Sequence, residues 1–95
     1  HDALPICLEK ELLRKVESAY LDAISSQSRY TAARQKERYA QQSYDLTDEQ
    51  FRVGRKNTVE LITAQNELSS ARQEVLQAKY MALLNIGLLD IYQGR

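Results

Sequence analysis

From Ile6 to Val53 the chain contains neither glycine nor proline. A stretch of that length without either residue lacks the punctuation that repeated tight turns require, which excludes a strand-and-turn protein. It is rich in Ala, Gln, Glu, Arg and Leu, all adequate or good helix formers. The pattern predicts one long helix from about Leu8 to about Arg52, a turn at residues 53–57, and a second helix from about Thr58 to about Tyr92. The expected fold class is all-α, a long antiparallel two-helix hairpin of coiled-coil character.

Heptad spacing supports this reading. In the second helix Leu61, Ala64, Leu68, Ala71, Val75, Ala78, Ala82 and Leu89 step by threes and fours, with Asn85 as a polar interruption. Such steps sustained over four heptads indicate a coiled-coil seam. The alternation of large residues with alanine implies a close approach of two helix axes. In the first helix the best frame is Val16, Ala19, Ala23, Ser26, Tyr30, Ala33, Glu37, Ala40, Tyr44, Thr47 and Phe51. That seam is more polar but keeps the same mixture of small and aromatic residues.

The break between the helices has its own chemistry. Gly54 suits the left-handed conformation that closes a helix. Asn57 is a strong N-cap, and Glu60 three residues later completes a capping-box pattern. The short connection through Arg55 and Lys56 forces an antiparallel pairing. At ~1.5 Å per residue each arm spans roughly 50–65 Å, so a rod is expected. Leu12, Leu13, Leu21, Ile24, Ile62, Leu76, Leu83, Leu84, Ile86 and Leu88 fall off the seam. Two Ala-rich helices cannot cover them, so they need partners beyond the hairpin, either other copies or further helices of a parent protein.

Composition removes several function classes. Thirteen Lys and Arg balance thirteen Asp and Glu, which gives no positive field for nucleic acid or a membrane surface. Arg29, Arg34, Lys36 and Arg38 cluster around Glu37 and read as a solvated face. The single histidine is His1, which argues against His-based catalysis, and the single cysteine, Cys7, can neither form an internal disulfide nor build a zinc site. Beside Leu8, Cys7 reads as a small apolar packing residue. No run approaches the ~18 apolar residues of a membrane span. Asp45, Asp48 and Glu49 approach a helix C-terminus, where acids oppose the dipole, and Arg52 is placed to offset Asp48. The chain begins without Met and stops just after an apolar run, and reads as a piece of a longer protein. No cofactor or metal site is expected, and no enzyme.

Phe51-Arg52-Val53-Gly54-Arg55-Lys56-Asn57 and the Glu60-Leu61 that follows are accounted for by an ordinary hairpin turn on physical grounds alone. The run from Tyr44 to Gly94 nevertheless closely resembles the C-terminal hairpin of TolC-like outer-membrane efflux proteins. The resemblance rests on the aromatic, the Val-Gly and the basic residue of the turn, then Leu68, Ala71, Ala78-Lys79-Tyr80 and Leu88-Leu89-Asp90-Ile91-Tyr92-Gln93-Gly94. Val16-Glu17-Ser18-Ala19-Tyr20 is similar to the other helix of the same unit.

The resemblance implies a homotrimer whose helices form a periplasmic tunnel continuous with an outer-membrane β-barrel. The hairpin would be a wall segment with its tip facing a periplasmic adaptor protein and, through it, an inner-membrane pump. Val53, Gly54, Arg55, Lys56 and Asn57 are then adaptor-docking tip residues. Phe51, Lys56 and Glu60 match gate positions: Phe51 and Lys56 in restraining the closed end, Glu60 in making the constriction cation-selective. Thr63 stands where some relatives carry a second acid. Membrane contact is expected only through parts outside this sequence, and no nucleic acid is implied. An intracellular coiled-coil hairpin that scaffolds other proteins is the alternative, and an RNA-binding helical arm a third reading.

Overall fold

The computed structural model describes residues 3–94, and His1 lies outside them. Helix α1 runs Ala3–Arg52 and helix α2 runs Thr58–Tyr92. The two pack antiparallel into a rod of 78 × 20 × 13 Å, and the described residues contain no strand. The all-α hairpin is the architecture observed. The rod is longer than expected because α1 starts at Ala3 rather than near Leu8. Pro5 is no obstacle there: it sits in the first turn, where the amide it lacks would have had no intrahelical acceptor. At the other end Gly94, with φ +77°, stops α2, its N–H donating to the Ile91 carbonyl at 3.1 Å.

Every seam position expected on α1 lies in the interface. Ala19, Ala23 and Ser26 are buried, and Val16, Tyr30, Ala33, Glu37, Ala40, Tyr44, Thr47 and Phe51 are half-buried. On α2 Ala64, Leu68, Ala71 and Ala82 are buried, while Leu61, Val75, Ala78, Asn85 and Leu89 are half-buried. Ala71, at 1% exposed, is the most enclosed residue. A methyl group is small enough for the facing backbone to close over it, which a longer side chain would prevent.

Four polar links cross the seam in antiparallel order. Asn85 donates to Ser26, Lys36 pairs with Glu74 at 2.9 Å, Arg72 donates to Gln41 at 3.0 Å, and Gln65 donates to the Tyr44 hydroxyl at 3.4 Å. Lys36 thus leaves the basic cluster to bind across the hairpin, and Arg34 lies 5.9 Å from the Tyr30 ring centre.

Because α2 ends at Tyr92, beside Lys15, Ser18 and Ala19, the start of α1 projects past it. Cys7 is exposed on that projection and is not the packing residue its apolar neighbour suggested, since no part of α2 reaches it. Leu8, Leu12 and Leu13 are exposed on the same segment. Of the off-seam apolar set, Leu12, Leu13, Leu21, Ile24, Ile62, Leu76, Leu83, Leu84 and Leu88 are exposed, and only Ile86 is half-buried.

Two measurements test this packing. In a urea titration Leu68→Ala should lower stability by about 2–3 kcal/mol through the cavity it leaves. Ala71→Leu should also destabilise, by ~1–3 kcal/mol, because the added carbons push the helices apart. A neutral or stabilising Ala71→Leu would show that the axes are not held close there. Separately, the exposed leucines should drive association, so sedimentation equilibrium should show mass above that of a monomer as concentration reaches the millimolar range. A strictly monomeric profile would contradict that expectation.

Candidate functional site at the hairpin tip

The turn is built from two helix caps placed back to back. At the end of α1 the Gly54 N–H donates to the Phe51 carbonyl at 3.0 Å, and the Arg55 N–H to the Gln50 carbonyl at 2.8 Å. This pair of bonds is a Schellman closure, and it requires the left-handed conformation that Gly54 adopts at φ +80°. Two residues later Asn57 is extended, at φ −95° and ψ 173°, and its Oδ1 accepts the Glu60 N–H at 2.8 Å. Regular helix resumes when the Leu61 N–H donates to the Asn57 carbonyl at 3.2 Å. One closure and one cap consume the whole connection, so the tip is short and ordered by its own hydrogen bonds.

Only half of the expected capping box forms. Asn57 caps the Glu60 amide, but the Glu60 carboxylate is 3.7 Å from Lys56 Nζ instead of returning to the Asn57 N–H. An i,i+4 lysine offers a full positive charge where the backbone amide offers a partial one, and both side chains stay partly in water. Arg52 does offset Asp48, at 3.0 Å, and its charge also suits the α1 C-terminus.

The structure brings Val53, Gly54, Arg55, Lys56 and Asn57 together as one exposed cap on the rod. Val53 is 71% exposed, and Val59, on the other side of the turn, is 70% exposed. Two apolar residues held so far out of contact at one end of the molecule form a surface that packing within the hairpin does not explain. Phe51 differs from its tip neighbours: it is half-buried as the last seam residue of α1. Lys56 and Glu60 share a shallow groove with Ser43 and Thr47 of α1 and with Thr63 and Glu67 of α2.

Sequence reasoning missed two members of this site. Val59 lies off the seam, and an apolar residue beside the turn is the signal that marks it. Glu67 lies seven residues beyond Glu60, and Glu74 seven further, so three acids mark one flank of α2 at heptad spacing. Glu74 is paired with Lys36 and Glu60 with Lys56; Glu67 has no ion-pair partner among the described residues. Thr63, between the first two acids, ties its hydroxyl to the Val59 carbonyl at 2.8 Å. Among the described residues no group of His, Cys, Asp and Glu is arranged to hold a metal ion, and no helix is long and apolar enough to cross a membrane.

The chain belongs to the outer membrane efflux protein family, which matches residues 9–86 and so takes in most of both arms and the whole turn. That is a family of channels rather than of enzymes, seated in the outer membrane. No curated protein and no solved structure gives a significant match to the chain.

The caps make separable predictions. Asn57→Ala should cost about 1 kcal/mol through the lost bond to the Glu60 amide. Gly54→Ala should cost ~1–2 kcal/mol from backbone strain alone, since an added Cβ there meets nothing within 4 Å. Glu60→Ala should cost less than Asn57→Ala, about 0.5 kcal/mol, because it removes a part-exposed ion pair and a charge favourable to the α2 N-terminus while leaving the cap intact. Thermal unfolding of the three variants checks the order; a Glu60→Ala loss equal to that of Asn57→Ala would mean that the carboxylate takes part in the cap.

Proposed function

We propose that this hairpin is a wall element of the periplasmic tunnel of a trimeric outer-membrane efflux conduit. Its tip is the docking end for a periplasmic adaptor, through which an inner-membrane pump delivers small molecules or proteins for export. The observation that carries the reading is the family match over residues 9–86, which takes in most of α1, the turn and most of α2. It gains support from the apolar residues left exposed along the rod, which neighbouring helices of a tunnel wall would cover. On this reading the chain itself is no enzyme and binds no cofactor; it guides substrate and opens or closes a passage.

At the tip, Val53 and Gly54 supply a small apolar surface, with Arg55, Lys56 and Asn57 as its polar rim. That composition suits a reversible contact with the end of another helical hairpin. Glu60 is the proposed constriction residue, with Phe51 and Lys56 restraining the closed end. Three symmetry-related copies of Glu60 would concentrate negative charge at one level of the tunnel and attract cations there. The 3.7 Å pairing with Lys56 within the hairpin gives this gate a local counter-charge. Opening then means exchanging an intra-hairpin partner for water or a permeant cation. Glu67 extends the acidic flank inward from the constriction.

The test uses the full-length parent trimer in planar bilayers. Glu60→Ala should move the reversal potential under a salt gradient toward zero as cation selectivity is lost, with unitary conductance retained. Unchanged selectivity would end the gate assignment. For the docking role, a photo-crosslinker at position 53 or 55 should capture the adaptor in cells, whereas one at Ser69, exposed in the middle of α2, should not. Equal capture at the two places would count against a tip-specific contact.

A further inference from the structure

Ser26 is the one buried polar residue among the described residues, at 5% exposed. Its partner is Asn85, half-buried on the opposite helix, whose side-chain amide donates to the Ser26 hydroxyl. All the other buried positions are alanine or leucine. No buried side-chain polar atom among the described residues lacks a partner, so the pair satisfies the only polar requirement in the buried seam.

The apolar part of that seam specifies alignment poorly. Leu61 with Ala64, Leu68 with Ala71 and Val75 with Ala78 repeat one large-then-small step every seven residues. Apolar contact is non-directional, so moving α2 by a heptad again brings apolar side chains into the seam. The hydrogen bond does not tolerate that change. A shift of one heptad sets Asn85 against Ala19 or Ala33 and separates it from Ser26, which leaves its amide unsatisfied inside the seam.

The turn sets the alignment at one end only. Asn85 lies about 40 Å along α2 from Thr58, at ~1.5 Å per residue. Over that length the other cross-helix links are Lys36–Glu74, Arg72–Gln41 and Gln65–Tyr44, all exposed and free to be replaced by water. We propose that Ser26 and Asn85 form a register pin, which fixes the axial and rotational alignment of α1 on α2 at the end of the hairpin far from the turn. A single polar residue at a seam position is known to select register in this way at some cost in stability. The inference stands on the seam alone and does not depend on the conduit reading.

The test is a distance measurement in the 95-residue chain. Nitroxide labels are placed at Glu17→Cys and Asp90→Cys in a Cys7→Ser background, both at exposed positions away from the pair. Labelled chain is diluted into excess unlabelled chain of the same variant, so that only intrachain distances are read by double electron–electron resonance. The native pair should give one narrow distribution. Asn85→Leu should keep its helical circular dichroism and melt at the same or a higher temperature, yet its distribution should at least double in width or split in two. Ser26→Ala should broaden it likewise. Exchanging the partners, Ser26→Asn with Asn85→Ser, should restore a narrow distribution. A narrow single distance in either Asn85→Leu or Ser26→Ala would overturn the proposal, as would failure of the exchanged pair to restore it.

Discussion

Small side chains on a helix face let two backbones approach closely, and in this chain they fill most of the buried positions: Ala19, Ala23, Ala64, Ala71 and Ala82. Each alanine buries little apolar area, so each layer of the seam contributes little to stability. The hairpin must therefore repeat the layer many times, which accounts for a second helix of 35 residues held against α1. A kink would lift the small residues out of contact, and the absence of Gly and Pro from Ile6 to Val53 removes two common causes of one in α1. Toward the turn Tyr44, Thr47, Phe51 and Leu61 are half-buried rather than buried. Larger side chains at those positions keep contact across a less tightly closed seam.

The turn fixes this weak, extended attraction at one end. A Schellman closure at Gly54 and a side-chain cap at Asn57 leave no spare residues between the helices, so α2 enters along one direction. The same economy leaves the tip side chains unused by the fold. Val53, Arg55 and Val59 make no contribution to the seam, and their exposure follows from the hydrogen bonding of the backbone around them. A docking surface can change at these positions without altering the turn, whereas Gly54 and Asn57 are constrained by conformation before any partner is considered.

Much of the fold was legible because its signals are local and periodic. Heptad steps placed every seam residue of both helices in the interface, and Gly54 and Asn57 each announced a cap through chemistry contained in a few residues. What escaped the sequence depended on competition or on length. Asn57 and Glu60 satisfy a capping-box pattern, but Lys56, adjacent in sequence, outcompetes the backbone amide for the carboxylate. Beside Leu8, Cys7 reads as a packing residue; its exposure is set by where α2 ends, which no residue near Cys7 encodes. The Ser26–Asn85 bond was equally hidden, since each residue alone looks like a defect in its own seam. Of the site, the tip was readable as an exposed turn, while the roles assigned to Phe51, Lys56 and Glu60 came from the family resemblance.

The distribution of apolar residues shows what kind of assembly suits such a rod. Along α2, Ile62, Leu76, Leu83, Leu84, Leu88 and Ile91 are exposed in addition to a seam that already faces α1. A helix that is apolar on more than one face is designed for more than one neighbour. These residues thin out toward the turn: between Val59 and Leu76 the only other large exposed apolar residue on α2 is Ile62. Polar and charged side chains take over there, including Glu60 and Glu67. Helices that were to be packed permanently along their whole length would gain from apolar residues throughout. On the conduit reading, concentrating them away from the turn would leave the tip half of the hairpin more weakly attached to its neighbours than the far half. That gradient is what a passage needs if it is to open at one end while its wall remains assembled at the other.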